Sequence, residues 1–173
     1  MADTQRTLAA LLALLADNTS GDISPQDLRD AVVTVFANYA DIRTTSSTNF
    51  TATTTWTKLP FAADGLSAGC VTANAASDRI SVTVTGVYRA TLNITVTPAT
   101  TYNEFRLEVN AGGSAAGTAG SARAYAVSTR TTLILETLLS LTAGDYVEAF
   151  ALANAFSTTN SLEMGSLRLE RIG

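Results

Sequence analysis

The side chains of this chain that could do chemistry are few, and most are carboxylates. Glu104, Glu108, Glu136, Glu148 and Glu163 could supply the acid and base of a glycoside hydrolase, which needs two carboxyl groups at a defined separation. No spacing singles out a pair. Glu108, set between Leu107 and Val109, reads together with Glu148 as an outward charge on a strand. Histidine is absent, which removes the commonest general base, the commonest metal ligand and every Ser-His or Cys-His arrangement. Cys70 is the single cysteine, so neither an intrachain disulfide nor a thiolate cluster is expected, only a small buried thiol. Asp17, Asn18 and Asp22 lack the alternating oxygen ligands and closing Glu of a calcium loop and read as turn and capping residues. The small-residue stretch Ala111–Ala122 is no phosphate cradle, because no Lys-Ser/Thr follows it. No catalytic residue, cofactor or metal is expected.

The elements that would position these residues belong to one domain, or one domain with a small appendage, across 173 residues. Hydrophobic residues make up 46% of the chain and charged residues only 15%. So lean a charge content suggests that much surface is covered by neighbours; a stable oligomer would explain it, and so would a fold with thick polar-uncharged sheet faces, the oligomer being the favoured reading. The net charge of −4 and pI of about 4.7 argue against nucleic-acid binding, which needs a basic footprint. The longest apolar run, Leu8–Ala16, is far shorter than the ~20 residues of a membrane-spanning helix. It also lacks the flanks of a secretory signal, so Asn49-Phe50-Thr51 and Asn93-Ile94-Thr95 read as incidental glycosylation sequons.

Leu8, Leu11, Leu12 and Leu15 fall on one helical stripe, predicting a first helix over residues 4–16. Residues 17–22 break it. Ser24 suits an N-cap, Pro25 the first helical position and Asp27 the positive helix end, opening a second helix whose stripe is Leu28, Ala31, Val32, Val35 and Phe36. These short helices form an αα-hairpin. Its apolar face demands a partner: its own second helix, sister chains or another protein. Residues 1–43 are therefore an attachment module and residues 44–173 a β head, with Asp41–Thr57 a linker merging into a first strand that carries Phe50 and Trp56.

The remaining pattern is strand, turn, strand. Arg79–Thr97 reads as two strands meeting at Thr85-Gly86, with Ile80, Val82 and Val84 alternating on the first and Tyr88, Ala90, Leu92, Ile94 and Val96 on the second. Phe105, Leu107 and Val109 alternate next. Leu133, Leu135, Leu139 and Leu141 share a face, Ala143-Gly144-Asp145 is a turn, and strands follow over Tyr146–Ala153 and Ser161–Ile172. Eight or more strands without an intervening helix indicate a sandwich or jelly roll.

Thr85-Gly86-Val87-Tyr88-Arg89-Ala90 and Leu139–Val147 resemble the "sGvY" strand and the "L.L..GD.V" strand-turn-strand of the C1q/TNF-like jelly rolls, over roughly residues 45–173. Leu15–Phe36 resembles a module near the N-terminus of virion proteins of tailed bacteriophages. The resemblance implies a mainly β fold, a trimeric C1q/TNF-like jelly-roll sandwich preceded by a short two-helix module. A collagen repeat and a heptad shaft are both missing, so a short spike, knob or decoration protein is implied rather than a long fibre. The family's trimers pack aromatic and aliphatic side chains about a threefold axis. By position Tyr88, Tyr146 and Phe150 are the interface candidates, with Phe105 behind them, and each would equally serve a monomer core.

The function so implied is a non-enzymatic structural virion protein, a homotrimeric capsid decoration protein or short head spike. Its partners would be itself and the major capsid or other virion proteins, and its place the particle surface. The attachment residues would be Leu8, Leu11, Leu12, Leu15, Leu28, Val32, Val35 and Phe36. The alternative is a short tail fibre that binds a host surface glycan, with Tyr102, Asn103, Arg123, Tyr125, Asn154, Phe156 and Asn160 as loop candidates.

Overall fold

The structure, a computed structural model, describes residues 24–36, 38–97, 103–112, 123–126, 129–153 and 158–173; the side chains of 33–36, 123–126 and 158 lie outside the described set. Among the described residues, outside which the helix expected over residues 4–16 lies, one α-helix, α1 (Pro25–Phe36), precedes twelve strands: β1 (Tyr39–Arg43), β2 (Thr48–Ala52), β3 (Thr57–Lys58), β4 (Ala63–Ala68), β5 (Val71–Asn74), β6 (Arg79–Val82), β7 (Gly86–Thr97), β8 (Asn103–Val109), β9 (Arg123–Ala126), β10 (Thr131–Leu141), β11 (Tyr146–Ala153) and β12 (Thr158–Arg171). They form two six-stranded sheets. Sheet 1 runs β10-β7-β12-β1-β4, with β2 also paired to β12; sheet 2 runs β5-β6-β11-β8-β9, with β3 also paired to β11.

The period-two patterns build this sandwich directly. Ile80 and Val82 of β6 point inward from sheet 2, while Tyr88, Ala90, Leu92, Ile94 and Val96 of β7 point inward from sheet 1, all at most 1% exposed. Arg79–Thr97 is thus two strands, but they lie in different sheets: β6 pairs with β5 and β11, β7 with β10 and β12. The chain crosses between layers at Thr83–Thr85, because each strand must bury its apolar side against the other sheet. Gly86 sits at this crossing. A side chain there would come within 2.5 Å of the Gly173 carbonyl oxygen and 2.8 Å of Arg171 Nε. The predicted turn at 143–145 is present. Gly144 adopts φ +99°, and the Asp145 carboxylate accepts from Thr142 N–H (2.7 Å) and from Asn110 Nδ2 (2.7 Å).

Helix α1 begins as expected. Ser24 and Asp27 cap each other, Asp27 N–H donating to Ser24 Oγ at 3.2 Å and Ser24 N–H to Asp27 Oδ2 at 3.0 Å, a capping box with Asp in the third helical position.

The boundary between module and head differs from the expectation. β1 lies inside the segment assigned to the N-terminal module, yet it is an inner strand of sheet 1, paired to β12 on one side and β4 on the other. Ala40 and Ile42 are fully buried. The head therefore starts at Tyr39, and Asp41–Thr57 holds the end of β1 and then β2, the expected strand that carries Phe50, with Trp56 outside it. A five-residue strand, YADIR, is too short to announce itself by alternation. Its strand state comes from two flanking ladders.

Candidate functional site

The two outer faces of the sandwich differ sharply. On sheet 2, alternation sends Phe105 and Leu107 of β8 into the core and turns Glu104, Arg106 and Glu108 the other way. These three are nevertheless buried, at 8%, 3% and 1% exposure. Glu148 of β11 lies directly opposite Glu108, and Phe150 opposite Arg106. Like charges so placed repel, and each is matched by a cation. Lys58 Nζ pairs with the Glu148 carboxylate and donates to the Ser77 carbonyl (3.1 Å). Arg106 pairs with Glu108 (2.5 Å) and lies 3.8 Å from the centroid of the Trp56 ring. Arg79 covers the Tyr146 ring at 4.7 Å.

Beside this layer Asp78 accepts from Phe61 N–H at 2.6 Å. Burial pushes its carboxyl above the ordinary carboxylate value, against the opposing pull of that bond and of Lys58. Glu108 and Glu148 were expected as outward charges. They do point away from the core, but they are buried fasteners, held away from any substrate in this conformation. Among the described residues no group of three or more His, Cys, Asp or Glu is placed to hold a metal ion.

Two of the interface candidates belong to the monomer core. Tyr88 and Phe105 have no exposure and sit in the cluster between the sheets. Tyr88 Oη donates to the Val84 carbonyl (2.5 Å) and touches Cys70 Sγ (3.3 Å), and burial drives its phenol well above the ordinary value. Neither reaches a neighbouring chain from there, because the inward parity of β7 and β8 commits them. Phe150, also without exposure, lies in the charged layer on the far side of sheet 2. Tyr146 is half-buried under Arg79.

The loop candidates are likewise redistributed. Asn103 and Asn160 are buried strand residues, 0% and 1% exposed, with Asn103 Nδ2 donating to Asn160 Oδ1 at 3.1 Å. They join β8 of one sheet to β12 of the other and offer nothing to a ligand. Arg123 and Tyr125 lie on β9 with side chains outside the described set. Tyr102, Asn154 and Phe156 lie outside the described residues. So do Leu8, Leu11, Leu12 and Leu15, and the side chains of Val35 and Phe36. Leu28 and Val32 of α1 are 61% and 49% exposed.

The outer face of sheet 1 is where the unspent apolar surface collects. Leu66 on β4, Val87 on β7, Ile134 and Leu138 on β10 and Met164 on β12 are all exposed, at 40–68%. Ile172, half-exposed, follows the end of β12. The register places Leu138, Arg89, Glu170 and Tyr39 in one cross-strand row and Glu136, Thr91, Arg168 and Asp41 in the next. Acid and base alternate along these rows, and Arg89 pairs with Glu170 at 2.8 Å. This face was not foreseen, although its signal was present: Ile134 and Leu138 are the apolar residues that break the outward parity of β10.

No family model matches the sequence, and no curated protein matches it. Solved structures do match it. "Structure of Eiger TNF from S. frugiperda" superposes with a TM-score of 0.57 at 13% identity, covering 79% of this chain and 93% of that one. The globular domain of zebrafish complement 1qA gives 0.56 at 13% identity, covering 79% and 98%. Murine APRIL at pH 5.0 gives 0.55 at 15% identity, covering 79% and 99%. At such low identity the likeness is one of architecture alone: the chain is a mainly β sandwich of the C1q/TNF-like jelly-roll fold.

Proposed function

We propose that this chain is a non-enzymatic structural protein of a virion surface, a homotrimeric capsid decoration protein or short head spike of a tailed bacteriophage, whose jelly-roll head self-associates through the outer face of sheet 1. The observation that carries self-association is the gathering of Leu66, Val87, Ile134, Leu138 and Met164 on that one face. Exposed apolar residues grouped on one face mark interaction sites, whereas isolated ones are ordinary. The charges among them, Asp41, Arg43, Arg89, Glu136, Arg168 and Glu170, are three acids and three bases. A balanced face suits a copy of itself better than a strongly charged partner. A ring of three needs two different patches on each chain. Ile134 and Leu138 on the β10 edge and Leu66 on the β4 edge supply two.

The particle assignment rests on the resemblance of Leu15–Phe36 to the N-terminal module of phage virion proteins, and on the exposed Leu28 and Val32 of α1, which are available to a docking surface. Light scattering on the full chain tests assembly: the expected mass is three times the 18.0 kDa of one chain, and a monomer at every concentration would refute it. Docking is tested by binding to phage shells with and without residues 1–36. The truncation must stop before Asn38, since the Asn38 carbonyl accepts from Arg171 N–H and Tyr39 opens β1. Equal binding by the truncated chain would refute the attachment role.

A further inference from the structure

We infer that the cleft between β1, β12 and β7 on the outer face of sheet 1 is a binding site for a carboxylate-bearing saccharide. The cleft has a volume of about 390 Å³, within the range of about 300–1,000 Å³ typical of small-molecule sites. Its origin is local. β12 is irregular between Leu162 and Met164, which breaks the even surface of the sheet. The turn after β1 rises beside it, clasped to β12 by Thr44 N–H donating to the Gly165 carbonyl and Gly165 N–H to Thr44 Oγ1, both at 2.8 Å.

Arg43, Ser166 and Asn93 then lie side by side across three strands. Strand spacing makes that row about 10 Å wide, and the hydroxyls of Thr45 and Ser46 border it. The row is rich in donors. Arg43 and Asn93 are exposed, and among the described residues the Arg43 side chain makes no ion pair. The one carboxylate lining the cleft, Glu163, is already engaged, accepting from Thr97 Oγ1 (2.5 Å) and paired with Arg130 (2.6 Å).

A guanidinium without a counter-ion recognises a carboxylate with two parallel hydrogen bonds. The amide and hydroxyl groups beside it match the hydroxyls of a sugar ring, and Met164, 64% exposed, gives the ring's C–H face an apolar contact. A bare inorganic anion would use one end of this row and leave the rest unfilled. The cleft shares this face, and Arg43 and Met164 with it, with the assembly surface proposed above, but the apolar β10 edge is two strands away from β12, so titration of the Ile134→Arg/Leu138→Arg variant reads ligand binding apart from assembly.

The experiment is calorimetric titration of the full chain with a glucuronate-containing tetrasaccharide, with the same tetrasaccharide after its carboxyls are reduced to alcohols, and with acetate. The acidic sugar should bind, and its reduced analogue should bind at least about tenfold more weakly, as loss of a charge-assisted pair implies. Arg43→Gln should lose the same factor and Asn93→Ala a smaller one. Far-UV circular dichroism should give both variants the wild-type spectrum. Absence of binding, equal affinity for the reduced sugar or an unaffected Arg43→Gln would overturn the inference. Acetate binding as tightly as the tetrasaccharide would overturn its saccharide part. Arg43→Gln should show the same loss on the Ile134→Arg/Leu138→Arg background, and a loss confined to the wild-type background would overturn the inference.

Discussion

Replacing Ile134 and Leu138 together by arginine attacks the assembly face while sparing the fold. Both side chains are on β10 and point away from the core, with 66% and 61% of their surface exposed. Fully burying such a residue is worth ~1.5–3 kcal/mol. Two thirds of that is ~1–2 kcal/mol for each residue, so ~2–4 kcal/mol for the pair at each interface. That corresponds to a roughly 30- to 1,000-fold weaker contact, and burying two unpaired guanidinium groups would add to the penalty. The assay is light scattering across a concentration series, with far-UV circular dichroism and thermal unfolding as controls. The proposed trimer predicts that the variant falls to single-chain mass at concentrations where the wild type gives threefold mass. Its monomer fold should survive, since outward surface changes are usually worth less than about 0.5 kcal/mol. A variant that stays trimeric with unchanged concentration dependence would refute the placement of the interface.

Other consequences follow from the buried groups. Lys58→Met leaves the Glu148 carboxylate, 1% exposed and with one oxygen already lacking a hydrogen-bond partner, without its cation. The cost should be ~3–5 kcal/mol, and most of it should return in the Lys58→Met/Glu148→Leu double variant; chemical denaturation of both measures it, and a double variant no better than the single one would contradict the pairing. Gly86→Ala should cost ~1–3 kcal/mol through its collision with the Gly173 carbonyl, with recovery when Gly173 is deleted. Asp145 and Asp78 should titrate in opposite senses. The hydrogen bond from Asn110 Nδ2 is the main influence holding the Asp145 carboxyl below its ordinary value, so its contribution is present above the unfolded carboxylate value and lost as pH falls through the folded one. The Asp78 carboxyl is raised by burial, so its contribution is full below the unfolded value and lost as pH rises through the folded one. Asp78→Asn, which keeps an acceptor for Phe61 N–H and suits a left-handed φ of +49°, should therefore raise the melting temperature at pH 7, while Asp145→Ala should lower it by an amount that shrinks on acidification.

The sequence by itself determined the inward set of the long strands. β7, β8 and β10 each alternate over seven to twelve residues, and a period of two leaves no choice about which residues share a side. Local chemistry determined the α1 cap as well, because Ser24 and Asp27 find each other three positions apart. The tertiary structure decided what lies opposite each side. Alternation cannot distinguish an outward face that is wet from one that is covered, so Glu108 and Glu148 read as surface charges although their face is buried. Nor can it tell a core aromatic from an interface one, and Tyr88 and Phe105 had to be placed by the second sheet. β1 needed ladders to β4 and β12 before five residues could hold a strand. Both the assembly face and the cleft unite residues far apart in sequence, with Arg43, Asn93 and Ser166 side by side only through the pairing of β1, β12 and β7. Parity is a property of neighbouring residues along the chain, while a face is made by register between strands, and register is set only when the sheets pack.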